Sequence, residues 1–196
     1  MTIDEICEKY EIENYTINDD GSIDVNGSVW FYRCRLDQLP LVFNKVTGDF
    51  NCGDNGLTSL KGSPKWVGGG FFCFNNYLTS LEFGPEYVAN DFSCRGNYLT
   101  DLVGSPKEVG GDFNCDNNKN LITIKGCSEK IGSVFYCSNT PLSSIFNRVD
   151  QFFLHAFNFY KVIKDDTVNL KRLKYVMDLY DKPIDLSRIE NYYRIV

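Results

Sequence analysis

The residues best suited to chemistry are eight cysteines and a single histidine. Thiolates and imidazoles bind zinc, and they serve as nucleophile and base. Cys52, Cys73, Cys94, Cys115 and Cys137 recur every 21 residues, with a last step of 22. No C-x-x-C pair occurs, and His155 lies outside the recurring segment, so the spacing spells no zinc set. With one histidine, no nucleophile–histidine–acid set is apparent. Gly68-Gly69-Gly70 does not match a P-loop. Asn18, Asp20, Gly21, Ile23 and Asp24 echo a calcium loop, but Thr16 and Gly27 stand where its first and twelfth ligands belong. Carboxylates are plentiful, but the repeat spaces them as surface charge and not as a glycosidase pair. The chain therefore reads as a non-enzyme without cofactor or metal. Cysteines in one slot of a parallel ladder point the same way, which suits a disulfide poorly. They read as free thiols used as small core hydrophobes, in a reducing cytosol.

The elements that would position these residues are repeats. GDFNCGDNGLTSL (48–60) returns as GGFFCFNNYLTSL, NDFSCRGNYLTDL and GDFNCDNNKNLITI. Two residues before each cysteine stands Phe50, Phe71, Phe92, Phe113 or Phe135, so Phe and Cys share one face of a short strand. Three after it comes Asn55, Asn76, Asn97 or Asn118, then Thr140. A buried Asn there can satisfy backbone groups of its own and adjoining coils. Leu57, Leu78, Leu99, Leu121 and Leu142 fill the opposite wall, with a second apolar residue three positions on. Val46, Val67, Val88, Val109 and Ile131 close each turn before the next strand. A degenerate copy, Val29-x-Phe31-x-x-Cys34-x-Leu36-x-x-Leu39, brings the count to about six coils.

This pattern resembles the leucine-rich repeat, with Phe and Cys in the two strand slots. The spelling GSPKEVGGDFNCDNN (104–118) is similar to short solenoid repeats of large tailed bacteriophages. The resemblance covers roughly residues 25–145. It implies a right-handed, β-rich α/β solenoid with a parallel strand ladder, and a viral origin. It implies no reaction.

The flanks differ. Residues 1–26 read as an N-terminal cap: a short helix with a Thr2/Glu5 capping box, then a hairpin about Asp20-Gly21. Residues 27–145 are the solenoid. Residues 146–196 read as a helical cap continuous with it, with Val149, Phe152, Phe153 and Phe157 at helical spacing, then Leu170, Leu173 and Met177, then a helix capped by Asp185. No apolar run approaches a membrane span, and the N-terminus lacks a signal peptide's basic region. The net charge is −6, with nine Lys/Arg against seven Asp/Glu in residues 146–196. The acidic remainder argues against nucleic acid as a ligand.

Function is then sought on the outward strand face. Trp30, Tyr32 and Arg33 mark the first coil, and Phe72 and Phe74 the third, two coils or roughly 10 Å away. Arg95 and Tyr136 lie further along. Asp49, Asp54, Asp91, Asp112 and Asp116 form an acidic rim that would steer a basic partner. The expectation is a cytoplasmic, phage-encoded module that grips and inhibits a host protein on this face. The alternative is an assembly protein that self-associates, or joins a virion component, through its C-terminal helices.

Overall fold

A computed structural model describes residues 1–146, 148–164 and 167–196. The chain opens with α1 (Ile3–Lys9), whose capping box closes as the sequence predicts: Glu5 N–H donates to Thr2 Oγ1, and Thr2 N–H donates to the Glu5 carboxylate. The hairpin follows, β1 (Tyr15–Ile17) antiparallel to β2 (Ile23–Val25). Each coil then adds two short strands. The first coil has β2 and β3 (Val29–Trp30), and the next has β4 (Phe43–Val46) and β5 (Phe50–Asn51). Then come β6 (Trp66–Val67) with β7 (Phe71–Phe72), β8 (Tyr87–Val88) with β9 (Phe92–Ser93), β10 (Glu108–Val109) with β11 (Phe113–Asn114), and β12 (Lys130–Ile131) with β13 (Val134–Tyr136).

The strands stack into two sheets. One runs β1-β2-β4-β6-β8-β10-β12, parallel except at β1. The other runs β3-β5-β7-β9-β11-β13, parallel, and ends antiparallel on β14 (Arg148–Asp150). The molecule is thus a β-solenoid of about five turns, one fewer than the sequence count. The last copy does not complete its turn. Pro141–Ser144 forms a 3₁₀ helix, and the chain then doubles back as β14.

Two expectations are corrected. Val46, Val67, Val88, Val109 and Ile131 are not turn residues; they are the inward side chains of a second parallel ladder. Val149 is not helical; it pairs with Phe135 in β14. The helices that follow are α2 (Gln151–Phe159), α3 (Leu170–Leu179) and α4 (Leu186–Ile189), capped by Asp150, Asn169 and Asp185. A small sheet of β15 (Ile163–Lys164), β16 (Thr167–Val168) and β17 (Arg194–Ile195) ties the C-terminus back.

The core is a set of columns along the solenoid axis. Phe50, Phe71, Phe92, Phe113 and Phe135 are buried, with neighbouring ring centroids 5.0–5.7 Å apart. Burying each phenyl contributes about 1.5–3 kcal/mol, and each ring pair about 0.5–1.5 more. The cysteine column lies beside it. All eight cysteines are free, and burial pushes the Cys52 and Cys127 thiols up to about 12.

The asparagine ladder holds the corner. Asn76 Nδ2 donates to Cys52 O of the preceding coil and Cys73 O of its own at 3.0 and 3.1 Å, and its Oδ1 accepts from Leu57 N–H at 3.0 Å. Asn97 and Asn118 repeat the arrangement one and two coils on. Thr140 ends it: its hydroxyl donates to Cys137 O of its own coil and accepts from Ser143 N–H.

Candidate functional site

The outer face of the second sheet carries the candidate residues. Parallel register puts Trp30, Asn51, Phe72, Ser93, Asn114 and Tyr136 in one outward row. Trp30 is 54% exposed and Tyr32 is 41% exposed. Phe72 and Phe74 are half-buried, because each lies over a glycine. A Cβ on Gly70 would clash with the Phe72 ring, and one on Gly53 would sit 2.7 Å from the Phe74 ring. Both rings therefore lean on bare backbone. Phe74 reaches across Gly53 to Tyr32, with ring centroids 6.0 Å apart. The two clusters that the sequence sets roughly 10 Å apart are in contact. The bare backbone of the coil between them allows it.

Charged groups frame this strip. The Arg33 guanidinium stacks on the Tyr32 ring at 4.9 Å and pairs with Asp54 at 3.0 Å. Asp54 also accepts from Asn75 Nδ2 at 2.7 Å. The Asn75 amide, with further hydrogen bonds from Tyr32 and Arg33, holds the Asp54 carboxyl below its ordinary value. The same hydrogen bond raises the Tyr32 phenol. Arg33, Asp54, Asn75, Gly96, Asn117 and Asn139 all have positive φ, one per coil. Short polar side chains and glycine tolerate that conformation best, which explains the column's composition. Sequence reading missed it, although the Asp/Asn/Gly recurrence was visible.

Beyond Phe74 the face dips into a hollow of about 290 Å³ that gathers Phe72, Phe74, Asp91, Arg95, Asp112 and Tyr136. Arg148 from β14 covers the Tyr136 ring at 5.4 Å. Arg95 is exposed at the rim. The aspartates are only partly available as a steering rim. Asp49 accepts from Gly70 N–H at 2.7 Å, Asp91 from Asp112 N–H at 2.8 Å, Asp112 from Val134 N–H at 3.0 Å and Asp116 from Ser138 N–H at 2.5 Å. Each carboxylate thus ties its coil to the next.

A second exposed row lies on the other sheet and was not foreseen. Register aligns Lys45, Trp66, Tyr87, Glu108 and Lys130. Trp66 stacks on Tyr87 at 5.8 Å, and Lys45 covers its other face at 4.7 Å. Both faces of the indole are occupied, so this row satisfies itself. Tyr77 and Tyr98 stack at 6.0 Å on the loop wall, as their equivalent slots predict.

His155 is exposed on α2. The loop that echoed a calcium site is bonded within itself: Asp20 accepts from Ser22 N–H and Oγ, and Asn18 Nδ2 donates to Ser22 Oγ. No group of three or more potential metal ligands is present among the described residues. No helix among them is long and apolar enough to cross a membrane. The chain matches no protein-family model, no curated protein and no solved structure.

Proposed function

We propose that the chain is a non-enzymatic protein-binding module that grips a partner on the outer face of its second sheet. The observation that carries this reading is the aromatic strip in which Trp30 stands exposed beside Tyr32 and Phe74 in contact. Exposed aromatics with a stacked arginine are the residue types that anchor protein interfaces. The repeat spelling supports kinship with leucine-rich solenoids of tailed bacteriophages. On that kinship, the partner is a host protein, such as a defence factor, that the module inhibits in the host cytosol. An acidic chain with a net charge of −6 fits a basic protein better than nucleic acid.

The test is affinity capture from host lysate with the wild-type chain beside a variant in which Trp30, Tyr32, Phe72 and Phe74 are alanine. One host protein held by the wild type and lost by the variant is expected. Equal capture by both removes this face.

A second reading has its own observation. The C-terminal helices leave Phe152 and Phe159 68% and 69% exposed, beside exposed Tyr175 and Leu179. Such a patch suits self-association or docking on a virion component. Light scattering that shows a dimer, lost when residues 146–196 are deleted, would favour it.

A further inference from the structure

Strand β3 is an open edge. Val29 N–H donates to Asp49 O at 2.8 Å and Phe31 N–H to Asn51 O at 2.6 Å. Backbone groups alternate sides along a strand, so the N–H and C=O of Trp30, with those of Ser28 and Tyr32, face away from β5. β3 is the end strand of its sheet and pairs only with β5. Among the described residues, no group accepts from Trp30 N–H.

The other ends of the sheets are treated differently. β1 covers the matching end of the first sheet, and β14 covers the far end of the second. At β12, Ile131 N–H donates to the Gln151 side chain at 3.3 Å. Proteins protect exposed edges with lysine, proline, bulges or a covering element. β3 has none of these, and its one protective feature is its two-residue length. It presents Ser28, Trp30 and Tyr32, all exposed. Helix α1 closes the core beside it, with Tyr10 edge-on to Phe31 at 5.1 Å, and among the described residues no backbone bond joins it to Trp30 N–H.

The N-terminal segment that carries this edge is acidic, although Arg33 lies on Tyr32 beside the strand. Residues 1–35 hold eight acids, among them Asp4, Glu8, Glu11 and Glu13, against Lys9, Arg33 and Arg35. A second copy would bring a like-charged end against this one.

We propose that β3 receives an extended, lysine- or arginine-bearing segment of the partner, which adds to the second sheet as one more strand. This rests on the binding face proposed above and names how the partner meets it. Backbone bonds to Trp30 and Tyr32 supply the register. Alternate side chains of the incoming strand extend the aromatic strip outward, and its cations meet the acidic end.

The probe is a short synthetic peptide of alternating lysine and valine, added to the isotope-labelled full chain. At ten times its dissociation constant it should slow exchange of the Trp30 amide about tenfold by mass action, with shifts confined to residues 28–33. The same peptide N-methylated at alternate residues, or built with glutamate for lysine, should do neither. Trp30→Pro, tolerable on an edge strand because that N–H has no partner, should abolish the peptide-induced shifts at Ser28, Val29 and residues 31–33. Equal protection by the glutamate or N-methylated peptide overturns the proposal. So does no protection by the lysine peptide, or protection of Trp30 without peptide through a concentration-dependent dimer. The readings fail separately. Capture lost in Phe72→Ala/Phe74→Ala but kept in Trp30→Pro retains the Phe72–Phe74 part of the face and rejects both the edge and the Trp30 indole.

Discussion

Tyr32 and Phe74 sit two coils apart in the repeat, yet their rings lie 6.0 Å apart, because Gly53 leaves a gap that the Phe74 ring fills. Coils stacked at about 4.8 Å would otherwise hold such rings near 10 Å. The binding strip therefore depends on one missing side chain in the intervening coil.

Gly53→Ala tests that dependence. The new Cβ would meet the far edge of a half-buried ring that can swing away. Stability should change by less than about 1 kcal/mol. The Tyr32–Phe74 contact should break, and partner affinity should fall with it. A urea titration beside a binding isotherm separates the two effects. Unchanged affinity with a displaced Phe74 would show that the contact is idle.

The asparagine ladder should dominate stability. Asn97→Ala orphans Leu78 N–H and takes one of two asparagine donors from each of Cys73 O and Cys94 O, in a site where Asn97 is 3% exposed. The orphaned N–H costs about 1–3 kcal/mol and each lost bond about 0.5–1.5 kcal/mol, so the total should be at least about 2 kcal/mol. Asn55→Ala, half-buried at the open end of the ladder, should cost less. Chemical denaturation of the two variants gives the order directly.

Much of this was legible beforehand. Phe, Cys and Asn stand in slots whose side chains must point inward or bond backward, so side-chain type disclosed their placement. The second ladder was not legible. Most of its strands are two residues long, as at Trp66–Val67 and Glu108–Val109, too short to display alternation. A single buried valine then reads as a turn. The reach of Phe74 was hidden for a different reason: rotamer direction over a glycine is not written in spacing.

The thiol column predicts alkaline sensitivity. Burial raises these thiols, with Cys52 at about 12 against an ordinary 9.0, and Cys127 outside the column is raised to about 12 as well. The folded state therefore keeps protons that the unfolded chain releases. The stability they confer is complete below pH 9 and is lost as pH rises from there toward 12. Each such thiol adds a slope of up to about 1.4 kcal/mol per pH unit in that window. Unfolding midpoints at pH 7, 9 and 10 should fall steeply only over the last interval. Cys52→Ala should flatten the fall. A flat profile in the parent chain would mean the thiols ionise freely.

Tyr193 fastens the C-terminal cap to the solenoid. It is 4% exposed, and its hydroxyl donates to Ile122 O at 2.9 Å. Tyr193→Phe removes that bond and leaves a half-buried carbonyl, at a cost of about 0.5–1.5 kcal/mol. In a solenoid such losses act locally. Hydrogen exchange should quicken in α3 and α4 while the Phe92 and Phe113 strands stay protected. Uniform quickening would show that cap and coils unfold as one unit.

Phe83 supplies a sharper test, because it breaks the repeat's own rule. Gly62, Gly104 and Gly126 occupy its slot, all with positive φ, and Phe83 adopts φ +67° while 65% exposed. A left-handed backbone costs an ordinary residue about 1–2 kcal/mol, and an exposed phenyl recovers little of it. Glycine gives back part of the gain through the entropy of the unfolded chain. Phe83→Gly should therefore stabilise the fold by about 0.5–1 kcal/mol, an unusual sign for removal of an aromatic. If the exposed phenyl serves a partner, the same variant should bind that partner more weakly. Calorimetry and capture on one protein decide the matter. Stabilisation with undiminished binding would show that Phe83 is a tolerated defect, and destabilisation would show that the phenyl packs better than its exposure implies.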